Sequence, residues 1–376
     1  MDPSKDYTRN MVLKGNNLYV LQREDSDANI HIVDAATGTD KGNLPCSSIA
    51  AGSYKFFSVG NLGGTIVAAS AALSSSASLK VYAWSSDSSE PTTILETTNH
   101  GGRAGDLMST YGDINNGKLY FASNSGYAGK IYVYTVTNGT ANATPTIITL
   151  KDSKGNDFDL GGAYAVIEVR PQADGTLLCS GKGGATALFN ADGTYIRSLA
   201  SAATDGNTYG SCYTPFKFGK YTLAAAVTYK TGVQQGYLNL INATEGMENA
   251  TVLKSYGVLG ASGVSNTTFV STAIASVDGQ TINLWVLIPK QGIAKYTATG
   301  KYSGTTGIDR VDAPAIIFTG TSLEAEGAVI EIYTTSGIKV AAGCDSISSG
   351  NLAKGIYIVT ATFADGTRKA TKISIL

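Results

Sequence analysis

His100, Arg103 and Asp106 sit close together in one Gly-rich stretch, ETTNHGGRAGDLMST (96–110). An imidazole at that spacing can act as a base near neutral pH while the guanidinium holds a carboxylate, the minimal equipment of a hydrolase or lyase. Asp159 in KDSKGNDFDLGGAY (151–164) and Asp205 in ASAATDGNTYGSC (200–212) offer a second arrangement, a carboxylate pair of the kind that cleaves glycosidic bonds. Asp157, Asn207 and Tyr209 lie beside them, and Tyr209 adds a surface on which a ring can stack. Gly pairs at 101–102 and 161–162 allow a ligand close to backbone amides. Asp, Asn and Gly are also the ordinary residues of turns, because they hydrogen-bond their own backbone or accept a positive φ. No catalytic residue is assigned on this basis. His100, Arg103, Asp106, Asp159, Asp205 and Tyr209 are taken as the ligand-binding candidates.

Other chemistries are poorly supplied. His31 and His100 are the two histidines, too few for a His-based metal centre. KDSKGNDFD resembles a calcium loop only until Ala163, which stands where a bidentate Glu is needed. The chain has no GxSxG, no phosphate-binding GxxxxGK and no dinucleotide fingerprint between a strand and a helix. Cys46, Cys179, Cys212 and Cys344 form no CxxC pair and are expected as small buried thiols, with Cys179 and Cys212 the one candidate disulfide. No metal and no cofactor is expected. A net charge of -1 without a run of Lys or Arg argues against a nucleic-acid partner. No apolar stretch is long enough for a helical membrane span.

The candidates must be positioned by strands. Glycine occurs 44 times and tyrosine 21 times while charged residues make up only 15%, the balance of many short strands joined by tight turns. One strand recurs as LYVLQR (18–23), TIVAAS (65–70), KLYFAS (118–123), TLLCSG (176–181), YTLAAA (221–226) and INLWVLIP (282–289). Each copy follows a turn such as KGNN, NLGG, INNG or QADG, which suits a hairpin. A third strand follows, as in IHIVD, LKVYAW, IYVYTVT and YLNLIN, and then a short outer one. Four strands in about fifty residues, repeated, define the blades of a β-propeller. Residues 1–304 are therefore read as a propeller of about six four-stranded blades, with seven as the alternative. Loops entering each inner strand emerge on one face, where propellers meet ligands, so the six candidates are expected to share that face. Trp84 and Trp285 lie within strands and are expected between blades, whereas Tyr127 in SNSGYAG is placed on a loop.

The repeat stops after KYSGTTG. Residues 305–376 are read as a separate β-sandwich of six or seven short strands, with a hairpin turning at Asp365-Gly366. Within it the order IEIYTTSGIKV, then LAKGIYIV, then ADGTRKATKISI resembles the C-terminal sorting domain of the type IX secretion system of Bacteroidetes. The matching residues are Ile330, Ile332, Tyr333, Gly337, Lys339, Val340, Leu352, Gly355, Tyr357, Val359, Gly366 and Lys372. The resemblance implies export across the outer membrane.

The sequence thus predicts an all-β, exported, monomeric recognition protein that binds a glycan, a peptide or a surface protein without catalysis. The alternative is a propeller hydrolase or lyase acting on a polysaccharide. The expected location is the medium or the outer cell surface, with the periplasm as the alternative.

Overall fold

The computed structural model describes residues 8–23, 26–122, 129–158, 167–181, 186–204, 209–230, 235–259, 272–289, 292–299, 316–318, 322–363, 366 and 368–375. The chain divides into two compact units, Met1–Tyr302 and Ser303–Leu376.

The first unit is a β-propeller. Blade 1 comprises β1 (Thr8–Lys14), β2 (Asn17–Arg23), β3 (Ala28–Asp34) and β4 (Asp40–Asn43). Blade 2 comprises β5 (Ser58–Leu62), β6 (Thr65–Ala69), β7 (Leu79–Trp84) and β8 (Thr92–Thr97). Blade 3 has β9 (Ser109–Gly112), β10 (Asn116–Ala122) and β11 (Lys130–Thr137), with β12 (Thr140–Ala141) and β13 (Thr146–Thr149) both paired to β11. Blade 4 comprises β14 (Ile167–Pro171), β15 (Leu177–Gly181), β16 (Ala187–Phe189) and β17 (Tyr195–Ser198). Blade 5 comprises β18 (Tyr209–Phe218), β19 (Tyr221–Lys230), β20 (Gln235–Asn242) and β21 (Thr251–Leu259). Blade 6 shows β22 (Thr272–Asp278), β23 (Thr281–Ile288) and β24 (Gly292–Thr299) among the described residues. Each blade is an antiparallel meander in chain order, and the recurrent strand of the sequence is the second strand of every blade.

Local chemistry sets the turns. Thr176, Thr194 and Thr244 each donate their backbone N–H and hydroxyl to the side-chain oxygen two residues earlier, of Asp174, Asp192 and Asn242 respectively. An Asp or Asn followed two residues later by Thr thus carries its own bend.

Neighbouring blades bury apolar faces against each other. Tyr19, Leu21 and Ile30 of blade 1 pack with Ile66, Ala68 and Trp84 of blade 2, around Phe56. The ring closes where Met11, Leu18 and Val20 meet Trp285 and Leu287 of blade 6. Trp285 is buried there and its Nε1 donates to the carbonyl of Ala35 at 2.7 Å, while Trp84 Nε1 donates to that of Pro45 at 2.7 Å. Both indoles fill the space between blades and satisfy their one donor.

The inner strands of the six described blades, β1, β5, β9, β14, β18 and β22, line a cavity of about 490 Å³. Side chains stitch several of them together. Asn10 donates to and accepts from the backbone of Val59, Asn61 donates to Leu13 O, Thr110 to Asn61 O and Thr214 to Ala273 O.

The cysteines correct two expectations: Cys344 is exposed and Cys46 half-buried rather than buried, and the candidate disulfide does not form. All four thiols are free, and Cys179 and Cys212 are buried in different packing clusters, one between blades 3 and 4 and the other between blades 5 and 6.

The second unit is one sheet in the order β25 (Ile317–Phe318), β26 (Ser322–Thr334), β28 (Gly355–Phe363), β29 (Arg368–Ile375), with β27 (Lys339–Ser348) on the other side of β26. The described residues show five strands where six or seven short ones were expected. The difference lies in β26, which runs through a bulge between Ala325 and Val329. Gly327, at φ +74°, donates there to Asp345 Oδ1 at 2.7 Å. The extra residues switch the parity of the strand, so Leu323 and Ala325 before the bulge and Ile330 and Ile332 after it reach the same core. Asp365 lies outside the described residues, and the neighbouring Gly366 donates to Phe363 O.

Candidate functional site

The loop-bearing face is defined by the starts of the inner strands. In blade 1 the register sets Thr8 opposite Gln22, so the start of β1 and the end of β2 come to that face together. Arg9 and Arg23 are therefore neighbours. The connection 44–57 enters β5, and the connection 98–108 enters β9, beside the same spot.

At the centre lies Phe57, almost fully buried. The guanidinium of Arg9 stacks on it, with Cζ 3.4 Å from the ring centre, and Arg9 Nε donates to the Phe57 carbonyl at 2.9 Å. Arg23 approaches the same ring at 4.8 Å and that of Tyr54 at 5.0 Å, while its Nε donates to Ser53 O. Arg103 lies 5.9 Å from Phe57. It grips Asp106 with a two-pronged fork, Nε to Oδ2 at 2.8 Å and Nη2 to Oδ1 at 2.7 Å. Asp106 also receives Arg9 Nη2 at 3.4 Å. Three guanidinium groups thus surround one aromatic ring, and two of them, Arg9 and Arg103, share one carboxylate.

Burial pulls the Arg9 guanidinium down to about 9, and the nearby charges of Arg23 and Arg103 add to this against the opposing pull of Asp106. It stays cationic at neutral pH. The cluster has a partly exposed edge, because Tyr54 is 46% exposed and the Arg103 side chain 30% exposed. A guanidinium at such an edge has the geometry to meet an anionic group, with an aromatic face beside it.

His100 belongs to the same loop but is buried. Its Nδ1 faces Gly102 O and its Nε2 faces Ala77 O, both at 2.7 Å. Gly101 completes this turn at φ +80°, where a Cβ would strike the Tyr132 hydroxyl. The imidazole pins to blade 2 the loop that carries the partly exposed Arg103 and the buried Asp106. Of the remaining candidates, Asp159 and Asp205 lie outside the described residues, as do Asn207 and Tyr127. Tyr209 opens β18 opposite Tyr229, and its side chain is outside the described set. Asp157 is described and is ion-paired to Lys151. The structure therefore brings Arg103 and Asp106 together and adds Arg9, Arg23, Tyr54 and Phe57, which the sequence reading had not singled out. The signal for the two arginines was their position at adjoining ends of one hairpin.

No family model and no curated protein matches the chain. Among solved structures it is similar to a DUF4623 family protein from Bacteroides eggerthii, with a TM-score of 0.63 and 16% identity over 80% of this chain and 72% of that one. That likeness shows the fold. PorZ, a surface component of the type IX secretion system of Porphyromonas gingivalis, aligns at 9% identity over 97% of this chain and 69% of its own, with a TM-score of 0.31. The GH93 α-L-arabinofuranosidase of Fusarium graminearum aligns at 12% identity over 80% and 94%, with a TM-score of 0.48. Both scores are too low to bear on the function of this chain.

Proposed function

We propose that the propeller is a non-catalytic recognition module whose loop face over blades 1 to 3 binds an anionic group on a glycan, a peptide or a partner protein. The observation that carries this reading is the cluster of Arg9, Arg23 and Arg103 around Phe57 with Asp106 as the shared carboxylate. Arg9 serves as the buried base of the site, Arg23 and Arg103 supply the field at its rim, and Tyr54 supplies a stacking surface. Asp159, Asp205 and Tyr209, on the loops entering blades 4 and 5, are proposed to extend the same face. His100 holds the loop in place.

The chain is proposed to reach the medium or the outer surface through its C-terminal unit, on the strength of the residues shared with sorting domains. Deleting residues 305–376 in the native host is expected to leave the propeller in the periplasm, and unchanged secretion would remove the sorting role. Ligand class is tested on a glycan and peptide array with the wild type and Arg103→Ala. Acidic features should bind the wild type and lose signal with the variant. Equal signals would take Arg103 out of the site.

A further inference from the structure

The central cavity holds a second feature that the arginine cluster does not use. Along β14 the residues alternate: Ile167 and Val169 are buried against blade 3, which leaves Glu168 and Arg170 on the other face of the strand, among the residues lining the cavity. They are the charged residues in a lining otherwise made of apolar and uncharged polar side chains. Most lining polar groups have partners already. Asn10, Asn61, Thr110 and Thr214 are engaged with the backbones of neighbouring blades.

Glu168 and Arg170 instead hold each other by one contact, Arg170 Nη2 to Glu168 Oε1 at 2.6 Å. Among the described residues nothing pairs with the second carboxylate oxygen or with Nη1, and Arg170 Nε is buried without an acceptor. Arg103 and Asp106, by contrast, close into a two-pronged fork that engages both carboxylate oxygens. Here one acceptor and one donor are left side by side, with side chains 21% and 29% exposed. A cavity of about 490 Å³ falls within the range of small-molecule sites, about 300–1,000 Å³.

We propose that this pair is a subsite for a neutral saccharide, with one hydroxyl of a vicinal diol donating to Glu168 and the adjacent oxygen accepting from Arg170. A diol fits both open positions without separating the ion pair. A zwitterion would bring two further charges out of water beside Pro171, Pro215 and Ala273, which is costly, whereas a diol brings none. The apolar faces of these residues and of Met108 suit the C–H face of a sugar ring. This subsite uses none of the three rim arginines, Arg9, Arg23 and Arg103.

The test is ligand-observed NMR and calorimetry on the full chain with a panel of neutral aldohexoses, pentoses and their disaccharides, and with glycine and glutamate as zwitterionic probes. At least one saccharide should bind. Glu168→Gln and Arg170→Lys should each weaken it about tenfold, the loss expected for a hydrogen bond to a charged group. The double variant Arg23→Ala/Arg103→Ala should leave it unchanged, so failure of the rim and failure of this subsite can be told apart. The proposal is overturned if no saccharide binds, if only the amino acids bind, or if the two substitutions leave saccharide affinity intact. Should either variant not fold, a wild-type crystal soaked with the bound saccharide decides. Sugar beside Glu168 supports the subsite, and sugar elsewhere overturns it.

Discussion

Asp106 lies between two arginines that belong to different blades: Arg103 of its own loop holds it by two hydrogen bonds, and Arg9 of β1 reaches the same Oδ1 at 3.4 Å. The carboxylate and Arg9 are both nearly excluded from water, with side chains 8% and 4% exposed. Removing this carboxylate takes away the anion that the buried Arg9 faces. Asp106→Asn is therefore expected to destabilise the propeller by about 3–5 kcal/mol. Arg103→Ala, at the partly exposed rim, should cost about 1 kcal/mol or less because Arg9 continues to neutralise Asp106. Urea denaturation of both variants checks the difference, and equal losses would mean that the cluster is not organised around Asp106.

Glu90 gives a pH dependence with a definite sign. Its carboxylate accepts from the backbone N–H and hydroxyl of Ser47 and of Ser48, fastening the loop after blade 1 to the turn between β7 and β8. The Ser47 hydroxyl, followed by the Ser48 amide, holds it down to about 2 from an ordinary 4.5. The folded state thus favours the ionised form, so this clamp contributes fully above pH 4.5 and is lost as pH falls towards 2. Denaturation midpoints of wild type and Glu90→Gln should converge as pH falls through that window and separate above it. Parallel curves would show that the clamp does not form.

Thiol reactivity should divide the four cysteines. Burial pushes the Cys212 thiol up to about 12 and raises that of Cys179 as well, so neither offers thiolate at neutral pH. Cys344 is exposed. Labelling of the native chain with a thiol-reactive dye, read by peptide mass spectrometry, should mark Cys344 first and leave Cys179 and Cys212 unmodified until the chain is unfolded. A Cys179–Cys212 disulfide in the oxidised protein would contradict the structure.

The parts of the molecule legible in its sequence were those set by local rules. LYVLQR, TIVAAS and INLWVLIP became β2, β6 and β23 because an alternating apolar strand after a Gly or Asn turn has little choice of conformation. Placing Trp84 and Trp285 between blades followed from the same alternation. Pairing Arg9 with Arg23 needed the hairpin register that opposes Thr8 and Gln22, and bringing both to Phe57 needed the packing of blade 1 on blade 2. His100 was chosen for its chemistry, while its burial comes from the Gly101 turn and the reach of its ring to Ala77, a residue of the preceding blade. In the C-terminal unit the bulge at Gly327 joins what the pattern presents as two strands.

Selection of an anionic ligand by the guanidinium groups of the loop face is what we propose. It is tested most directly by calorimetric titration of the array-selected ligand against its neutralised form, a methyl-esterified or desulfated glycan or an amidated peptide, on wild type and on Arg23→Ala/Arg103→Ala. Only the anionic form should bind, and more weakly as ionic strength rises from about 0.01 to 0.15 M and the screening length falls from about 30 to 8 Å. The double variant, which removes two of the three guanidinium groups, should lose about tenfold or more. Equal affinity for the charged and neutralised forms, or unchanged binding by a correctly folded double variant, would contradict it.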